Sequence, residues 1–168
     1  FYGGHGSIGP GRLKPETEAI MMEPLWSYVT RWIVPGESDP RNTYPPHTSD
    51  NHHTMHFITK WHFAKLAKDH PLFRDRVYPE GTTAAEQYKI WSRFIKAYCL
   101  DHAKMGLFAE FNSDNYNVAG TRPFYNVFDF AEDPALKRAA GQFLDLHWAM
   151  WAQEQIDGVR GGGKARIY

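Results

Sequence analysis

The stretch that decides the fold class runs from residue 83 to residue 106 and reads TAAEQYKIWSRFIKAYCLDHAKMG. Thr83 and Glu86 have the spacing of a capping box, which marks the start of a helix. After them, large side chains recur every three or four residues, as they do along one face of a helix. They are Tyr88, Trp91, Ile95, Tyr98, His102 and Met105. Because Gly106 is a suitable residue to end a helix, the sequence predicts a helix over 84–105.

Four other segments also have helical periodicity, and patterns typical of strands are nearly absent. The predicted helices cover 17–34, 52–68, 122–131 and 133–155. In the first of them, the residues that repeat at helical spacing are Met21, Leu25, Tyr28 and Trp32. The connecting segments are long and polar, which favours antiparallel α/α-hairpins over a closed four-helix bundle. We therefore expect an all-α fold, an antiparallel α/α-hairpin array that forms part of an α/α toroid.

Length and charge limit the classes of protein to consider. The chain has 168 residues, a suitable length for a single domain over 1–168 with an irregular N-terminal loop at 1–15. Lys and Arg number 19, as do Asp and Glu, so the formal net charge is zero. This balance argues against a general nucleic-acid binder and a polybasic membrane binder, and no apolar run approaches the length of a membrane span. Because the chain begins with Phe1 and ends soon after a glycine-rich turn, we expect it to be a fragment of a larger protein.

A first polar cluster, Ser49 to His53, lies at the start of the second predicted helix. Helix starts offer free N–H groups and a partial positive charge. At such a position the Asn51 amide suits the binding of a carboxylate, and the His52 imidazole suits the movement of a proton. Proton removal next to a uronate carboxylate requires both tasks. The alternative is a capping Asn followed by exposed histidines.

A second polar cluster, from Glu110 to Tyr116, reads EFNSDNY. Tyr116 is a candidate general acid that protonates a leaving oxygen, and Asn112 adds an amide to the cluster. Alternatively, Glu110 together with Asp114 or Asp50 supplies the acid and base of a glycoside hydrolase. A third possibility is an Asx-rich turn that caps the next segment.

The C-terminal segment 158–168 reads GVRGGGKARIY, and its first residues match the opening of a phosphate-binding P-loop. Ala165 stands where the Mg²⁺-binding Ser or Thr is required, and no strand is predicted before the loop, so we reject the P-loop. What remains is a glycine loop carrying Arg160, Lys164 and Arg166, whose guanidinium groups suit a carboxylate or a sulfate. The alternative is a solvated basic turn.

The histidines also raise the question of a metal. His52 and His56 are four residues apart, a spacing at which two imidazoles can chelate a metal ion. A third ligand would have to come from His47, Glu110 or Asp114, and the sequence contains neither an H-E-x-x-H motif nor a cysteine pair. We therefore predict no metal and no cofactor, with a histidine-rich metal protein as a minor alternative. Two further histidines on apolar stripes, His102 and His147, are expected to be hydrogen-bonded residues of the core.

Taken together, these motifs resemble a group of mostly uncharacterised bacterial α/α-toroid proteins, distant relatives of polysaccharide lyases of the alginate and heparinoid lyase type. The resemblance covers residues 50–168. The motifs that carry it are Asn51-His52, Glu110-x-x-Ser113-x-x-Tyr116, Asp129-Phe-Ala-x-Asp133, Leu144-Asp145 and Arg166-x-Tyr168. Five helices are too few to close a toroid, so the resemblance also implies a fragment or a half toroid.

The resemblance implies a lyase that cleaves an acidic, uronate-containing polysaccharide by β-elimination, in a periplasmic or secreted protein. Asn51 would neutralise the uronate carboxylate, His52 would be the base, and Tyr116 would be the acid. The expected substrate-binding residues are Glu110, Asn112, Arg160, Arg166 and Tyr168. A glycoside hydrolase on the same fold and a non-enzymatic glycan- or protein-binding helical domain remain the alternatives. The sequence does not indicate an oligomeric state.

Overall fold

The computed structural model of the protein describes residues 4, 8–44 and 49–161, apart from the side chains of Asp114 and Arg160. This part of the chain forms five helices and one short hairpin. The helices are α1 (Pro15–Arg31), α2 (Asp50–Ala67), α3 (Ala84–Met105), α4 (Asp114–Phe130) and α5 (Pro134–Gln153). The hairpin consists of β1 (Gln155–Ile156) and β2 (Val159–Arg160), paired antiparallel. The predicted all-α class is therefore confirmed.

The start of α3 confirms the capping box. Thr83 Oγ1 accepts a hydrogen bond from the Glu86 N–H (3.3 Å), and the Glu86 carboxylate accepts one from the Thr83 N–H (2.7 Å). Two N–H groups that a helix start would otherwise leave unpaired are thus satisfied reciprocally. The helix ends at Met105, before Gly106, as the sequence predicts.

Helix α4 begins earlier than the sequence predicts. It starts at Asp114 instead of residue 122, because Ser113 caps it by accepting a hydrogen bond from the Tyr116 N–H (3.4 Å). Pro123 accordingly lies inside the helix, and not in its first turn. The polar residues after Ser113 form the first turns of a helix, and the predicted start at residue 122 was wrong.

Helices α2 and α3 form an antiparallel hairpin. Trp61, late in α2, donates a hydrogen bond from Nε1 to Ser92 Oγ, early in α3 (3.0 Å). Phe57, one turn earlier in α2, packs against Tyr98, further along α3, with ring centroids 4.9 Å apart. Because the later residue of α2 contacts the earlier residue of α3, and the earlier contacts the later, the two helices run in opposite directions.

Helices α4 and α5 form a second antiparallel hairpin, which packs beside the first. Thr121 of α4 contacts His147 of α5 (Oγ1 to Nδ1, 3.2 Å), and Phe128, later in α4, lies against Gly141, earlier in α5. Between the hairpins, α2 and α4 run parallel. Gly120 approaches the Asn51 backbone, and the rings of Phe130 and His62 stack with centroids 5.5 Å apart.

The core lies between these four helices and is built mainly from aromatic rings. Its fully buried large side chains include Phe57, Trp61, Phe94, Tyr98, Phe124 and Phe143. Phe124 and Phe143 stack face to face with centroids 4.3 Å apart. Burial of such rings removes large apolar areas from water, which is the main stabilising contribution in a domain of this size.

Helix α1 packs on the outer side of α2 with a face that its periodicity did not single out. Met22 and Val29 are buried there, with Trp26 packed against Phe63 and Phe73. The residues that repeat in the sequence lie instead on the solvent side. They are Met21, Leu25, Tyr28 and Trp32, all exposed.

The directions of the helices place several chain segments at one end of the molecule, which we call the upper end. Helices α2 and α4 begin there, and α3 and α5 finish there. Residues 43, 44 and 49 before α2, the segment from Gly106 to Ser113 and the β-hairpin after α5 therefore belong to the upper end. In the described residues, no helix has the length and apolar character needed to cross a membrane.

Candidate functional site

The first two polar clusters meet at the upper end. The Glu110 N–H donates a hydrogen bond to Asp50 Oδ2 (3.1 Å), which joins the start of α2 to the segment before α4. One turn after Tyr116, Gly120 faces Asn51, and a Cβ at Gly120 would lie 3.6 Å from Asn51 Cα. A Cβ there would make an ordinary van der Waals contact, so α4 lies directly against the start of α2 at this point.

Asn51 is buried in the first turn of α2, with only 4% of its surface exposed. Its Oδ1 accepts a hydrogen bond from Ser49 Oγ (2.6 Å), and its Nδ2 donates to no other described residue. The helix is capped at Ser49, so Asn51 is not the capping residue that one interpretation of the sequence assumed. Its neighbour His52 is exposed to solvent.

The residues of the second cluster are arranged around the start of α4. Tyr116 and Glu110 are partly buried, and Asn112 is exposed. Beneath them lies Asn117, which donates from Nδ2 to the Phe111 carbonyl (2.9 Å). This bond fixes the segment from Glu110 to Asn112 above the helix start.

Buried hydrogen bonds continue from Asn117 into α5. Thr121 Oγ1 donates to the Asn117 carbonyl (2.9 Å) and also contacts His147. His147 is almost completely buried, as the sequence predicts for a core histidine. Polar groups buried in this way need such partners, because an unpaired group would lose its hydrogen bonds to water without compensation.

The third cluster is described only in its first residues. The chain reverses in a two-residue turn at Asp157 (φ 52°) and Gly158 (φ 78°), and the Gly161 N–H returns to the Glu154 carbonyl (2.9 Å). Two consecutive residues with positive φ are typical of a type I′ hairpin turn. The backbone of Arg160 belongs to β2, but its side chain lies outside the described part. Arg166 and Tyr168, like His47, are outside the described residues altogether.

Carboxylates are prominent among the described side chains of the upper end. Asp50 contacts Glu110, and Asp101 of α3 accepts a hydrogen bond from Thr43 Oγ1 (2.9 Å). An anionic ligand would therefore need cationic partners beyond these groups.

A stack of three rings closes the side of the upper end next to α3. His102 lies between Tyr44 and Tyr98, with ring centroids 4.0 Å and 3.8 Å away and the planes nearly parallel. Its Nδ1 bonds to the Leu107 carbonyl (2.6 Å). Burial lowers the pKa of His102, although the carbonyls of Leu107 and Thr43 act in the opposite direction. His102 is thus a buried, hydrogen-bonded core histidine, as the sequence predicts.

A hydrogen-bonded chain that sequence reasoning missed lies between α1 and α2. Tyr28 Oη bonds to His56 Nδ1 (3.0 Å), and His56 Nε2 bonds to Glu37 Oε2 (3.1 Å). Lys60 donates to the other oxygen of Glu37 and to the Trp32 carbonyl. Only His56 stood out in the sequence, through its spacing from His52. The partners come from a helix and a proline-rich loop, so no local motif connects them.

Burial and pairing set the charges of the side chains in this hydrogen-bonded chain. Partial burial acts to raise the pKa of Glu37, but the hydrogen bonds from His56 and Lys60 outweigh it and lower the pKa. Burial lowers the pKa of Lys60, and its contact with Glu37 opposes that effect only in part. Glu37 is therefore a carboxylate near neutral pH and can only accept hydrogen bonds.

The same bonds bear on the possible metal pair. Both ring nitrogens of His56 already have protein partners, Tyr28 and Glu37, so His56 is not presented together with His52 to a common ligand. Within residues 4, 8–44 and 49–161, no group of three or more potential ligand side chains could hold a metal ion.

Comparisons of this chain with known protein families, with curated proteins and with solved structures found no match.

Proposed function

We propose that the chain is part of an α/α-toroid, carbohydrate-active enzyme, and that this enzyme is a lyase cleaving a uronate-containing polysaccharide by β-elimination. The observation that carries the proposal is the meeting of the Asn51–His52 and Glu110–Tyr116 segments at the upper end, through the Asp50–Glu110 bond and the Gly120 contact. The parallel packing of α2 and α4, each the first helix of a hairpin, agrees with an array of hairpins.

In the proposed reaction, the Asn51 amide donates to the uronate carboxylate and makes the neighbouring C5 proton more acidic. His52 removes that proton, the C4–O bond breaks, and a C4=C5 double bond forms. Tyr116 gives its proton to the departing oxygen. This division of roles agrees with Asn51 Nδ2, which donates to no described residue, with the exposed imidazole of His52 and with the position of Tyr116 at the start of α4.

The acidic side chains of the upper end give the C-terminal arginines a defined task in this proposal. Asp50 and Glu110 would repel an anionic polymer, so Arg160 and Arg166 must supply compensating charge. Glu110, Asn112 and Tyr168 would contact neutral hydroxyls of the sugar. Replacement of Arg166 by Gln should therefore weaken substrate binding more strongly at low ionic strength, where charges are screened least.

The direct test is a screen of the full-length protein that contains this chain against alginate, heparin, chondroitin, ulvan and pectin, following the near-ultraviolet absorbance of the unsaturated product. Loss of a general acid or base typically lowers a rate by about 10²–10⁴-fold, so we expect at least a hundredfold loss in Tyr116→Phe and His52→Gln. Tyr125→Phe in the same helix and His62→Gln in α2 are the matched controls, and they should retain activity. Absence of an unsaturated product with every polymer, or full activity in Tyr116→Phe, would contradict the proposal.

A glycoside hydrolase is the second candidate, because the Asp50 carboxylate lies beside the Glu110 backbone. Paired carboxyl groups are the usual machinery of glycoside hydrolysis. A hydrolase would release new reducing ends with no ultraviolet absorbance, and Glu110→Gln would abolish that release. A polymer that binds without being cut would instead favour a binding domain.

A further inference from the structure

The chain of hydrogen bonds between α1 and α2 has the connectivity of a nucleophilic triad. Tyr28 presents a hydroxyl to His56, and the opposite nitrogen of His56 meets the Glu37 carboxylate. Covalent catalysis uses this order of groups, in which a base touches the nucleophile and a third group orients the base. Lys60, itself buried, holds Glu37 in place through the second carboxylate oxygen.

The Glu37 carboxylate fixes the direction of one hydrogen bond, and the form of the imidazole decides the direction of the other. An ionised Glu37 can only accept, so His56 Nε2 carries a hydrogen and donates it. When the imidazole of His56 is neutral, its Nδ1 is an acceptor, and Tyr28 Oη donates to it. The phenolic proton therefore points at the group that can take it, and Glu37 stands ready to stabilise the resulting imidazolium.

Tyr28 is also accessible, and it has apolar neighbours. Its ring lies at the edge of α1 that borders His56 of α2, and the residue is 38% exposed. Trp32, one turn later in the chain, is 58% exposed, and Leu25, one turn earlier, is exposed as well. A flat ring that lies on this face would bring an attached ester close to Tyr28 Oη.

We propose that Tyr28, His56 and Glu37 form a second site, an acyl-transfer site in which Tyr28 is the nucleophile and aryl or other ring-bearing esters are the substrates. Tyr28 Oη bonds to the acyl carbon, the bond from that carbon to the leaving oxygen breaks, and the phenolic proton passes to His56 Nδ1. The leaving group departs as the alkoxide or phenolate and takes up that proton. The site uses none of the residues assigned to the lyase reaction, so either proposal can fail alone.

The acyl group need not remain on the protein. A phenolate leaves more readily than the alkoxide of serine, because the phenol is the stronger acid. Water can therefore displace Tyr28 from the acyl carbon while His56 takes the water proton, which returns the free phenol and releases the carboxylic acid.

The test uses p-nitrophenyl acetate as the ester and the full chain as the protein. Release of p-nitrophenolate is followed by its visible absorbance, and mass spectrometry locates the acetyl group. Tyr125 is a matched internal control, because it is 39% exposed but accepts a hydrogen bond from Trp148 Nε1 instead of facing a base. We expect Tyr28 to be acetylated at least about tenfold faster than Tyr125, since a general base contributes about 10²–10⁴-fold.

Variants separate a reactive site from a merely structural network. Tyr28→Phe should remove the acetylation while leaving the fold intact, because the hydroxyl lies at the surface. His56→Gln should bring the rate at Tyr28 down to that at Tyr125, and Glu37→Gln should lower it at least about tenfold while still bonding to Lys60. Equal acetylation of Tyr28 and Tyr125 in the unaltered protein would overturn the proposal without any variant. An unchanged rate in folded Glu37→Gln would overturn it as well.

Discussion

Acid destabilisation through His62 is the prediction that the structure supports with the clearest magnitude. The imidazole of His62 stacks on the ring of Phe130 and also contacts that of Trp61, and its burial, assisted by the charge of Lys65, lowers its pKa from 6.5 to about 4. The unfolded chain therefore binds a proton at a higher pH than the folded protein does, and stability is lost as the pH falls from about 7 to about 4. At about 1.4 kcal/mol per pKa unit, this lowering corresponds to a total loss of about 3 kcal/mol.

Most of this loss should occur in an accessible range of pH. The same linkage relation gives a loss of about 2 kcal/mol between pH 8 and pH 5. Urea denaturation at several pH values measures it, with His62→Gln as the comparison, because Gln cannot be protonated there. The buried His102, whose pKa is also lowered, is present in both proteins and cancels from the difference.

The expected result is a pH dependence that is weaker in the variant by about 2 kcal/mol over that range. A second measurement is the NMR titration of the His62 imidazole, which should remain neutral at pH 5. If the variant and the unaltered protein lose the same stability between pH 8 and pH 5, burial of the imidazole does not control the acid response.

Three further predictions concern the helices and their core. Thr83→Ala removes one half of the capping box and should lower the free energy of unfolding, measured by urea denaturation, by about 1 kcal/mol. Glu86→Gln can still accept the hydrogen bond from the Thr83 N–H and should lower it by less. Burial raises the pKa of the Cys99 thiol, so iodoacetamide should modify Cys99 only after unfolding; rapid labelling of the native protein would refute its burial. Phe124→Ala should cost about 3–5 kcal/mol, because it empties a position between all four packed helices. Phe128→Ala, on the exposed side of the same helix, should cost far less, and similar losses for both would contradict the packing described.

The parts of the fold that could be predicted are those whose signals are local. Helix α3 agrees with its prediction at both ends, because Thr83, Glu86 and Gly106 mark its limits through residues at or next to the helix ends. The start of α4 was missed because Asp and Asn favour turns as well as first helical turns. Ser113 decided between these possibilities through one hydrogen bond.

The face that α1 turns inward could not be predicted from its periodicity. Large apolar residues occur on two faces of this helix, and both repeat at helical spacing. Contacts with Phe63 and Phe73, which come from later segments, select the face of Trp26 and leave the face of Trp32 in solvent. Tertiary packing therefore overrode the stronger repeat.

The two candidate sites differ in the same respect, because only one of them has a local signal in the sequence. The sequence identified Asn51, His52, Glu110 and Tyr116 because polar groups are dense around them, and the helix directions explain how two distant segments come to share one end. The Tyr28–His56–Glu37 chain had no such density. Its members are spread over two helices and a loop, and only folding gives His56 its two partners.

The imidazole of His102 has a spectroscopic consequence. The imidazole lies between the phenol rings of Tyr44 and Tyr98. Ring currents from both phenols therefore shield its two carbon-bound protons. Their resonances should shift far upfield, away from those of the other histidines. Since Tyr44 precedes α2 while Tyr98 belongs to α3, departure of Tyr44 would move these resonances even if the helices stayed packed. These two proton signals therefore report whether Tyr44 remains stacked on His102.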